Sequence, residues 1–390
     1  MLKYAMKRRE NGCARYVITA IIAVVAMALL VPTAFARTAE LGIVPGGYMS
    51  EFPTVFSDQM QALNTGARTP AMIRVDVLWP TIAPTKPADP TDPDDPAYQW
   101  GQLDATMKTA AQTGGKVLAT VYWTPSWASA TRAHGANSDL PNVKAFASFL
   151  TALQTRYSGT TDLPAVSNWE FWNESNNEFF LKAPGGKSAK TLKRLVTHYA
   201  SMLRSGRAAL RAAAAAMVTK TPTVIAGAVG GTRGFAHTVF FKALSEVKTC
   251  KGAASAKCFD AVSVHPYSPN PRLDALGTRV NGRYATIGNF SVFAASIKKD
   301  WAGRKLPSWV TEFGWQTNPP EKYFGVAPNK QASLMQQSVT KFRKDFKMVP
   351  HMLWFLLEDE PDVGRWQSGL VYANGQLKPS WNTFHSILKK

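Results

Sequence analysis

The alternation of short apolar segments with amphipathic stretches is the feature of this sequence that most restricts its fold. Eight segments have the length and composition of buried strands, and the stretches between them have the three-to-four-residue apolar spacing of helices. The predicted strands are residues 41–45, 72–79, 117–123, 168–173, 223–230, 261–267, 308–313 and 351–357. The predicted helices are residues 54–66, 102–113, 142–157, 188–217, 235–248, 290–302, 329–346 and 380–388.

Eight strands, each followed by a helix, are the elements of a (β/α)8 barrel. An open doubly wound sheet is the rival arrangement, and it normally carries a G-x-G-x-x-G turn after its first strand. Gly42 with Gly46 and Gly47 does not satisfy that pattern. We therefore predict an α/β protein with a single TIM-barrel domain over residues 37–390. The Pro- and Asp-rich segment 80–99 then becomes a long loop after the second strand rather than a linker.

Residues 1–36 have the three parts of a secretory signal peptide. A basic segment reaches Arg15, an apolar run covers residues 16–31, and a small-residue A-x-A site ends at Ala36. An uncleaved membrane anchor is the alternative, but sixteen apolar residues fall short of the roughly 20 that a spanning helix needs. We expect cleavage after Ala36, secretion to the periplasm or the extracellular medium, and no membrane span in the mature chain.

Cysteine usage agrees with export. Cys13 leaves with the predicted signal, whereas Cys250 and Cys258 remain and enclose seven residues. In an oxidising compartment we expect these two to form a disulfide. The six histidines are scattered without a zinc-binding spacing, so we predict no metal ion and no cofactor.

The chain is strongly basic. Removal of residues 1–36 changes the formal net charge from +19 to +15, with 40 basic against 25 acidic residues. Such a field favours anionic partners, and an exported protein meets acidic polysaccharide before it meets nucleic acid. Solubility explains the charge equally well. We expect a monomer that binds a polysaccharide or oligosaccharide, acidic if the charge has a function, and no nucleic acid.

Two glutamates lie at the ends of predicted strands. Glu174 follows the fourth strand in W-N-E, and Glu312 lies near the end of the seventh in T-E-F. Because reactive groups in such barrels project from the carboxyl ends of the strands, both should lie at one rim. Glycosidic cleavage requires two carboxyl groups, one protonated and one ionised. We expect Phe171 and Trp172 to raise the pKa of Glu174, and Arg74 to keep Glu312 ionised.

Four motifs together carry a family resemblance. They are I-R-V-D-V-L-W at 73–79, W-N-E at 172–174, V-H-P-Y at 264–267 and T-E-F-G-W at 311–315. With them the chain resembles the clan A retaining glycoside hydrolases. Within that clan it is most similar to glycoside hydrolase family 39, the branch of β-xylosidases, α-L-iduronidases and exopolysaccharide glycosidases. The resemblance covers essentially the whole mature chain.

The resemblance implies roles for the residues that match the clan's motifs. Glu174 matches the acid/base, and Glu312 matches the nucleophile. Asn173 matches the residue that hydrogen-bonds the sugar 2-hydroxyl. Tyr267 matches the tyrosine that orients the nucleophile, and Arg74 matches the arginine beside it.

The resemblance also implies where the sugar ring stacks. Trp354 matches the aromatic platform on the eighth strand, and Trp123 and Trp315 are further candidates for stacking. His265 is either a satisfied core histidine or a contact to the substrate. The third strand departs from clan members that carry a histidine there, because this chain has Tyr122-Trp123-Thr124. The sugar therefore stays open.

Three classes of function fit these observations. The first is a secreted retaining glycoside hydrolase that works by double displacement. The second is a catalytically inactive barrel that binds acidic cell-surface glycans. The third is a basic surface protein that binds polyanions without chemistry. Inactive barrels normally lose one carboxylate, and both Glu174 and Glu312 are present, so we favour the enzyme.

Overall fold

The computed structural model describes residues 39–131, 137–231 and 234–390. The signal peptide predicted for residues 1–36 lies outside these ranges and stays a prediction. Within them, no helix is both long and apolar enough to cross a bilayer.

Parallel strands close into a barrel, as the sequence predicts. Each strand pairs with the next along the chain, and the last pairs with the first. All eight predicted strands are found, and their observed ends lie within three residues of the predicted ones. The strands are β1 Glu40–Val44, β2 Met72–Leu78, β3 Val117–Tyr122, β4 Asn168–Phe171, β5 Thr223–Val229, β6 Ala261–Val264, β7 Ser308–Phe313 and β8 His351–Phe355.

Helices follow the strands. The eight predicted helices are found within two residues of their predicted ends, and two one-turn helices, α1 and α3, were not predicted. Local sequence explains several starts: Asn142 and Ser188 accept hydrogen bonds from the backbone of the first turn, and proline opens others. The helices in the described residues are α1 Tyr48–Glu51, α2 Pro53–Asn64, α3 Trp79–Ile82, α4 Gly101–Gln112, α5 Val143–Arg156, α6 Ala189–Ala216, α7 His237–Glu246, α8 Phe290–Asp300, α9 Pro328–Asp345 and α10 Pro379–Leu388.

An apolar layer fills the interior of the barrel. One side chain from each of seven strands contributes to it, and together they form a buried cluster. Because side chains alternate along a strand, residues two and four further along face the same interior, nearer the carboxyl end. This alternation brings polar residues such as Arg74 and Asp76, which follow Met72 on β2, to the mouth of the barrel. The interior layer consists of Val44, Met72, Leu118, Ile225, Ala261, Trp309 and Leu353.

Two further predictions about chain organisation are confirmed. Segment 80–99 connects β2 to α4, and its turn is held by hydrogen bonds from the Tyr98 hydroxyl to the carbonyl of Pro90 and from the Trp100 indole to that of Pro93. It is a βα loop and not a linker. Cys250 and Cys258 are joined in a buried disulfide just before β6.

Candidate active site

Glu174 and Glu312 face one cleft at the carboxyl end of the barrel. The cleft has a volume of about 800 Å³. His265 reaches both carboxylates: its Nδ1 lies 3.5 Å from Oε1 of Glu174 and 3.5 Å from Oε2 of Glu312. The two carboxylate oxygens are therefore no further apart than twice that distance.

Arg74 fixes one side of Glu312. Its guanidinium is buried and donates hydrogen bonds to Oε1 of Glu312 at 2.8 Å, to Oδ1 of Asn173 at 2.8 Å and to Oε2 of Glu170 at 3.0 Å. Arg74 thus links the strand that carries Glu312 to β4 and the residues after it. The sequence analysis placed Arg74 beside Glu312, and the structure brings them together.

Tyr267 fixes the other oxygen of Glu312. Its hydroxyl donates a hydrogen bond to Oε2 at 3.1 Å. Burial and the neighbouring Glu312 raise the pKa of Tyr267 well above its ordinary value, so the hydroxyl keeps its proton. Hydrogen bonds at both oxygens hold the Glu312 carboxylate in one orientation.

Glu170 lies beneath the cleft and is fully buried. It accepts hydrogen bonds from Arg74 and from the Thr120 hydroxyl at 2.8 Å. Burial acts to raise its pKa, but Arg74 and His265 outweigh burial and lower it. Glu170 is therefore an ionised partner of Arg74.

Glu174 has polar neighbours and a backbone that approaches it closely. The Asn177 amide donates a hydrogen bond to Oε2 at 2.9 Å. At the end of β5, a Cβ on Gly230 would lie 2.1 Å from Oε1 of Glu174, closer than atoms can approach. Any side chain at this position would therefore require the Glu174 carboxylate to move. Sequence reasoning missed Asn177 and Gly230, since neither lies on the inward face of a strand.

The pKa values of the two glutamates depart from the ordinary value in directions opposite to those predicted. Burial of Glu174 acts to raise its pKa, but the neighbouring His265 and the hydrogen bond from Asn177 outweigh burial and lower it. Burial raises the pKa of Glu312, and His265 and Arg74 reduce that rise without cancelling it.

Phe171 and Trp172 do not form the apolar flank that was predicted for Glu174. Both side chains are fully buried and pack edge-on against Phe146 of α5. The Trp172 indole donates a hydrogen bond to the carbonyl of Phe180 at 2.7 Å. The prediction about the pKa of Glu174 was wrong because these rings belong to the core between the barrel and its helices.

Trp354 does not form the aromatic platform that was predicted for it. Side chains alternate along β8, and Leu353 shares the interior face with Phe355. Trp354 therefore points away from the interior and is fully buried against Phe313 and Trp315. Phe355 lines the cleft instead. The expectation that Trp354 stacks on the sugar is thus corrected.

Trp315 and Trp123 do not line the cleft either. Trp315 is buried, and its indole donates a hydrogen bond to the carbonyl of Ala275 at 2.6 Å. Trp123 is half-buried with its ring edge-on to Tyr122. Among the described residues that line the cleft, the one from this segment is Tyr122.

Other aromatic residues line the cleft. Trp366, in the loop between β8 and α10, has its ring centroid 5.4 Å from that of Tyr267 and 5.2 Å from that of Phe355. Phe179 and Phe180, which follow β4, contribute to the same lining. Trp366 lies eleven residues beyond the end of β8, so a search confined to strand ends could not find it.

His265 is placed between the two carboxylates. Its Nε2 lies 3.2 Å from the Thr311 hydroxyl, so a proton on Nδ1 lets the ring donate towards the glutamates while Nε2 accepts. The sequence left open a core position and a site contact for His265, and the structure combines both: the ring is buried, and it faces Glu174 and Glu312.

Asp76 is a third carboxylate in the cleft, two residues after Arg74 on β2. The Tyr122 hydroxyl donates a hydrogen bond to its Oδ2 at 3.2 Å. Asp76 belongs to the I-R-V-D-V-L-W motif on β2, and no role was predicted for it.

Comparison with known proteins gives no match to a protein-family model and none to a curated protein sequence. Solved structures do match. A family 39 glycoside hydrolase from the gut symbiont Bacteroides cellulosilyticus is 17% identical with a TM-score of 0.60, over 91% of this chain and 64% of that one. A family 39 enzyme from Xanthomonas axonopodis is 15% identical with a TM-score of 0.56, over 90% and 65%.

A third similar structure, one of two fungal β-1,4-galactanases, is 13% identical with a TM-score of 0.59, over 89% of this chain and 99% of that one. This chain therefore spans slightly less than two thirds of each family 39 enzyme but nearly all of the galactanase. These structural neighbours are clan A glycoside hydrolases, as the resemblance implied. At such identities the likeness shows the shared barrel fold.

Proposed function

We propose that this protein is a retaining glycoside hydrolase that cleaves O-glycosidic bonds of an oligosaccharide or polysaccharide by double displacement. The observation that carries the proposal is the position of Glu174 and Glu312, each 3.5 Å from the same nitrogen of His265. Retaining enzymes place their two carboxyl groups about 5–5.5 Å apart, whereas inverting enzymes need about 6.5–9.5 Å to admit a water molecule. The two oxygens nearest to His265 are at most twice 3.5 Å apart, which is compatible with the retaining spacing and supports the proposal.

In the first step, Glu312 attacks the anomeric carbon. A bond forms between its carboxylate oxygen and that carbon while the bond to the leaving oxygen breaks, and Glu174 gives its proton to the leaving oxygen. Arg74 and Tyr267 hold Glu312 for this attack, as their hydrogen bonds to its two oxygens indicate. In the second step, Glu174 takes a proton from water, whose oxygen displaces Glu312 and restores the original configuration.

The proton must be on Glu174 when the substrate is bound, although the neighbouring His265 and the hydrogen bond from Asn177 outweigh burial and lower the pKa of this carboxyl group. A glycosidic oxygen can only accept a hydrogen bond, so its arrival beside Glu174 favours the protonated acid. Conversely, a sugar 2-hydroxyl beside Glu312 donates a hydrogen bond and favours the carboxylate. Substrate binding thus supplies the protonation order that the first step requires.

Export of the enzyme is part of this proposal. The signal-like segment 1–36 supports it, and so does the Cys250–Cys258 disulfide, since such bonds persist mainly in oxidising compartments. An acidic glycan as the substrate polymer is supported by the net charge alone.

Trapping the glycosyl-enzyme tests the proposal. We expect a panel of 2-deoxy-2-fluoro β-glycosides with good leaving groups to inactivate the protein and to add one sugar mass to the peptide that contains Glu312. Glu312→Gln is the matched control and should take no label. A label on Glu174, or no label and no turnover of any aryl β-glycoside, would favour the inactive glycan-binding barrel.

A further inference from the structure

Asp76 is the most exposed carboxylate at the floor of the cleft. Its side chain is 38% exposed, compared with 14% for Glu174 and 11% for Glu312. Double displacement uses two carboxylates, so the mechanism leaves this third one without a role.

Asp76 lies next to the proposed nucleophile. One guanidinium nitrogen of Arg74, Nη1, is 2.8 Å from Oε1 of Glu312 and 3.7 Å from Oδ1 of Asp76. A sugar attacked by Glu312 therefore lies within reach of Asp76. The hydrogen bond from Tyr122 to Oδ2 orients the carboxylate from a neighbouring strand.

Asp76 is not needed to balance the positive charge of Arg74. Arg74 already contacts Glu170 at 3.0 Å and Glu312 at 2.8 Å, both closer than Asp76. A carboxylate needed only to balance the guanidinium would be expected in its plane at hydrogen-bond distance and away from water. Asp76 instead turns its side chain to the open cleft.

We propose that Asp76 determines specificity by accepting hydrogen bonds from hydroxyl groups of the sugar attacked by Glu312, and that this sugar is neutral rather than a uronic acid. A carboxylate accepts two such bonds and donates none, so it suits adjacent hydroxyls. A uronate would bring a further negative charge into a cleft whose described lining has four acidic side chains, Asp76, Glu174, Glu312 and Glu360, against the one guanidinium of Arg74. The mechanism requires a proton on Glu174 alone among these four.

This inference rests on the proposed function and concerns only the sugar at the cleavage position. The basic field of the mature chain acts on the polymer as a whole, so acidic units elsewhere in that polymer are compatible with a neutral sugar beside Asp76.

Paired substrates that differ only at C6 test the inference. The probes are 4-nitrophenyl β-glucoside with its glucuronide and the corresponding galactoside with its galacturonide. We expect the wild-type enzyme to have the higher kcat/KM on the neutral member. In Asp76→Asn, the ratio of neutral to uronide kcat/KM should fall by about tenfold or more, as expected for the loss of hydrogen bonds to a charged group.

Tyr122→Phe is the matched control. It removes the hydroxyl that orients Asp76 but keeps the charge, so KM for the neutral substrate should rise while the discrimination against the uronide remains. Circular dichroism and thermal unfolding of each variant confirm that the barrel is intact.

Labelling of Glu312 separates the two hypotheses. If the 2-fluoro glycosides label Glu312 but the wild type prefers the uronide, or if Asp76→Asn leaves the ratio unchanged, the inference about Asp76 is wrong and the proposed function stands. If Glu312 takes no label from any sugar, the proposed function itself fails.

Discussion

The hydroxyl of Tyr267 donates a hydrogen bond to Oε2 of Glu312 at 3.1 Å, while Arg74 holds the other oxygen. The carboxylate is thereby oriented from β2 and from the segment that follows β6. Such preorganisation lowers the barrier only if the geometry is kept.

Tyr267→Phe removes one of these two hydrogen bonds. We expect kcat on an activated aryl glycoside to fall by about 10- to 100-fold with little change in KM, because a hydrogen bond to a charged group contributes about 1.5–3 kcal/mol. Tyr284→Phe is a suitable control, since Tyr284 does not line the cleft. An unchanged kcat in Tyr267→Phe would show that Arg74 alone positions Glu312.

Glu174→Ala and Glu312→Gln should fail at different steps. Glu312→Gln abolishes turnover because no glycosyl-enzyme forms. In Glu174→Ala, activated aryl glycosides can still glycosylate Glu312, but the intermediate stalls without a general base. Azide should release it as a glycosyl azide of the starting configuration, which NMR identifies. Azide rescue of Glu312 variants instead, or an inverted first product, would reverse the assignment of the two roles.

The same two residues should have opposite effects on stability. The pKa of Glu312 is raised on folding, so stability falls as pH rises from the ordinary value of 4.5 through the raised one. The pKa of Glu174 is lowered, so its contribution is present above the ordinary value of 4.5 and is lost as pH falls through the lowered one.

At pH 7, Glu312→Gln should therefore raise the melting temperature, and Glu174→Gln should lower it. Below the lowered pKa of Glu174, both differences should shrink, because each carboxyl is then protonated in both states. Calorimetry at pH 7 and at acid pH measures this. Shifts of the same sign at pH 7 would mean that packing outweighs ionisation.

The buried pair of Lys378 and Asp359 should be sensitive to removal of one partner. Their side chains are 0% and 1% exposed and 2.6 Å apart, and burial lowers the pKa of Lys378 to about 8. Lys378→Met leaves an unpaired buried carboxylate and should destabilise the fold by about 3–5 kcal/mol. The double variant Lys378→Met with Asp359→Leu should recover much of that loss in denaturant unfolding. Equal stability of the single and double variants would contradict a charge effect.

The strongly basic net charge predicts that activity on an acidic glycan depends on salt concentration. If the field recruits an acidic glycan, kcat/KM on that polymer should fall steeply between 0.1 and 1 M salt, as the Debye length shortens from about 10 Å to about 3 Å. A neutral aryl glycoside is the control and should show little change. The same salt dependence for both substrates would indicate that the positive net charge serves solubility and does not recruit the substrate.

The fold could be predicted from the sequence because the spacing of apolar residues distinguishes the strands from the helices. Strands such as Val117–Tyr122 are short apolar runs, whereas helices such as Ala189–Ala216 have apolar residues every three to four positions. The type of each element could therefore be predicted. The positions of Glu174 and Glu312 followed from the rule that strand ends meet at one rim.

The wrong predictions about the site arose because the sequence does not show which way some side chains point or where the loops run. β8 reads H-M-L-W-F, which has no polar alternation to show which residues face inward, so Trp354 was chosen in place of Phe355. The pKa prediction for Glu174 failed because Trp172 packs in the core and not beside the carboxyl group. Trp366 was missed because it lies in a loop, and the spacing of apolar residues does not predict the path of a loop.

The missing side chain at Gly230 has an evolutionary consequence. Every missense change at this position adds at least a Cβ, which would lie where Glu174 now turns, 2.1 Å from its Oε1. The three atoms nearest to that Cβ all belong to Glu174. Under the proposed function, one substitution outside Glu174 and Glu312 would therefore suffice to displace the proton donor. For the glycoside hydrolase proposed here, a change at Gly230 is a short route from sugar hydrolysis to sugar binding alone.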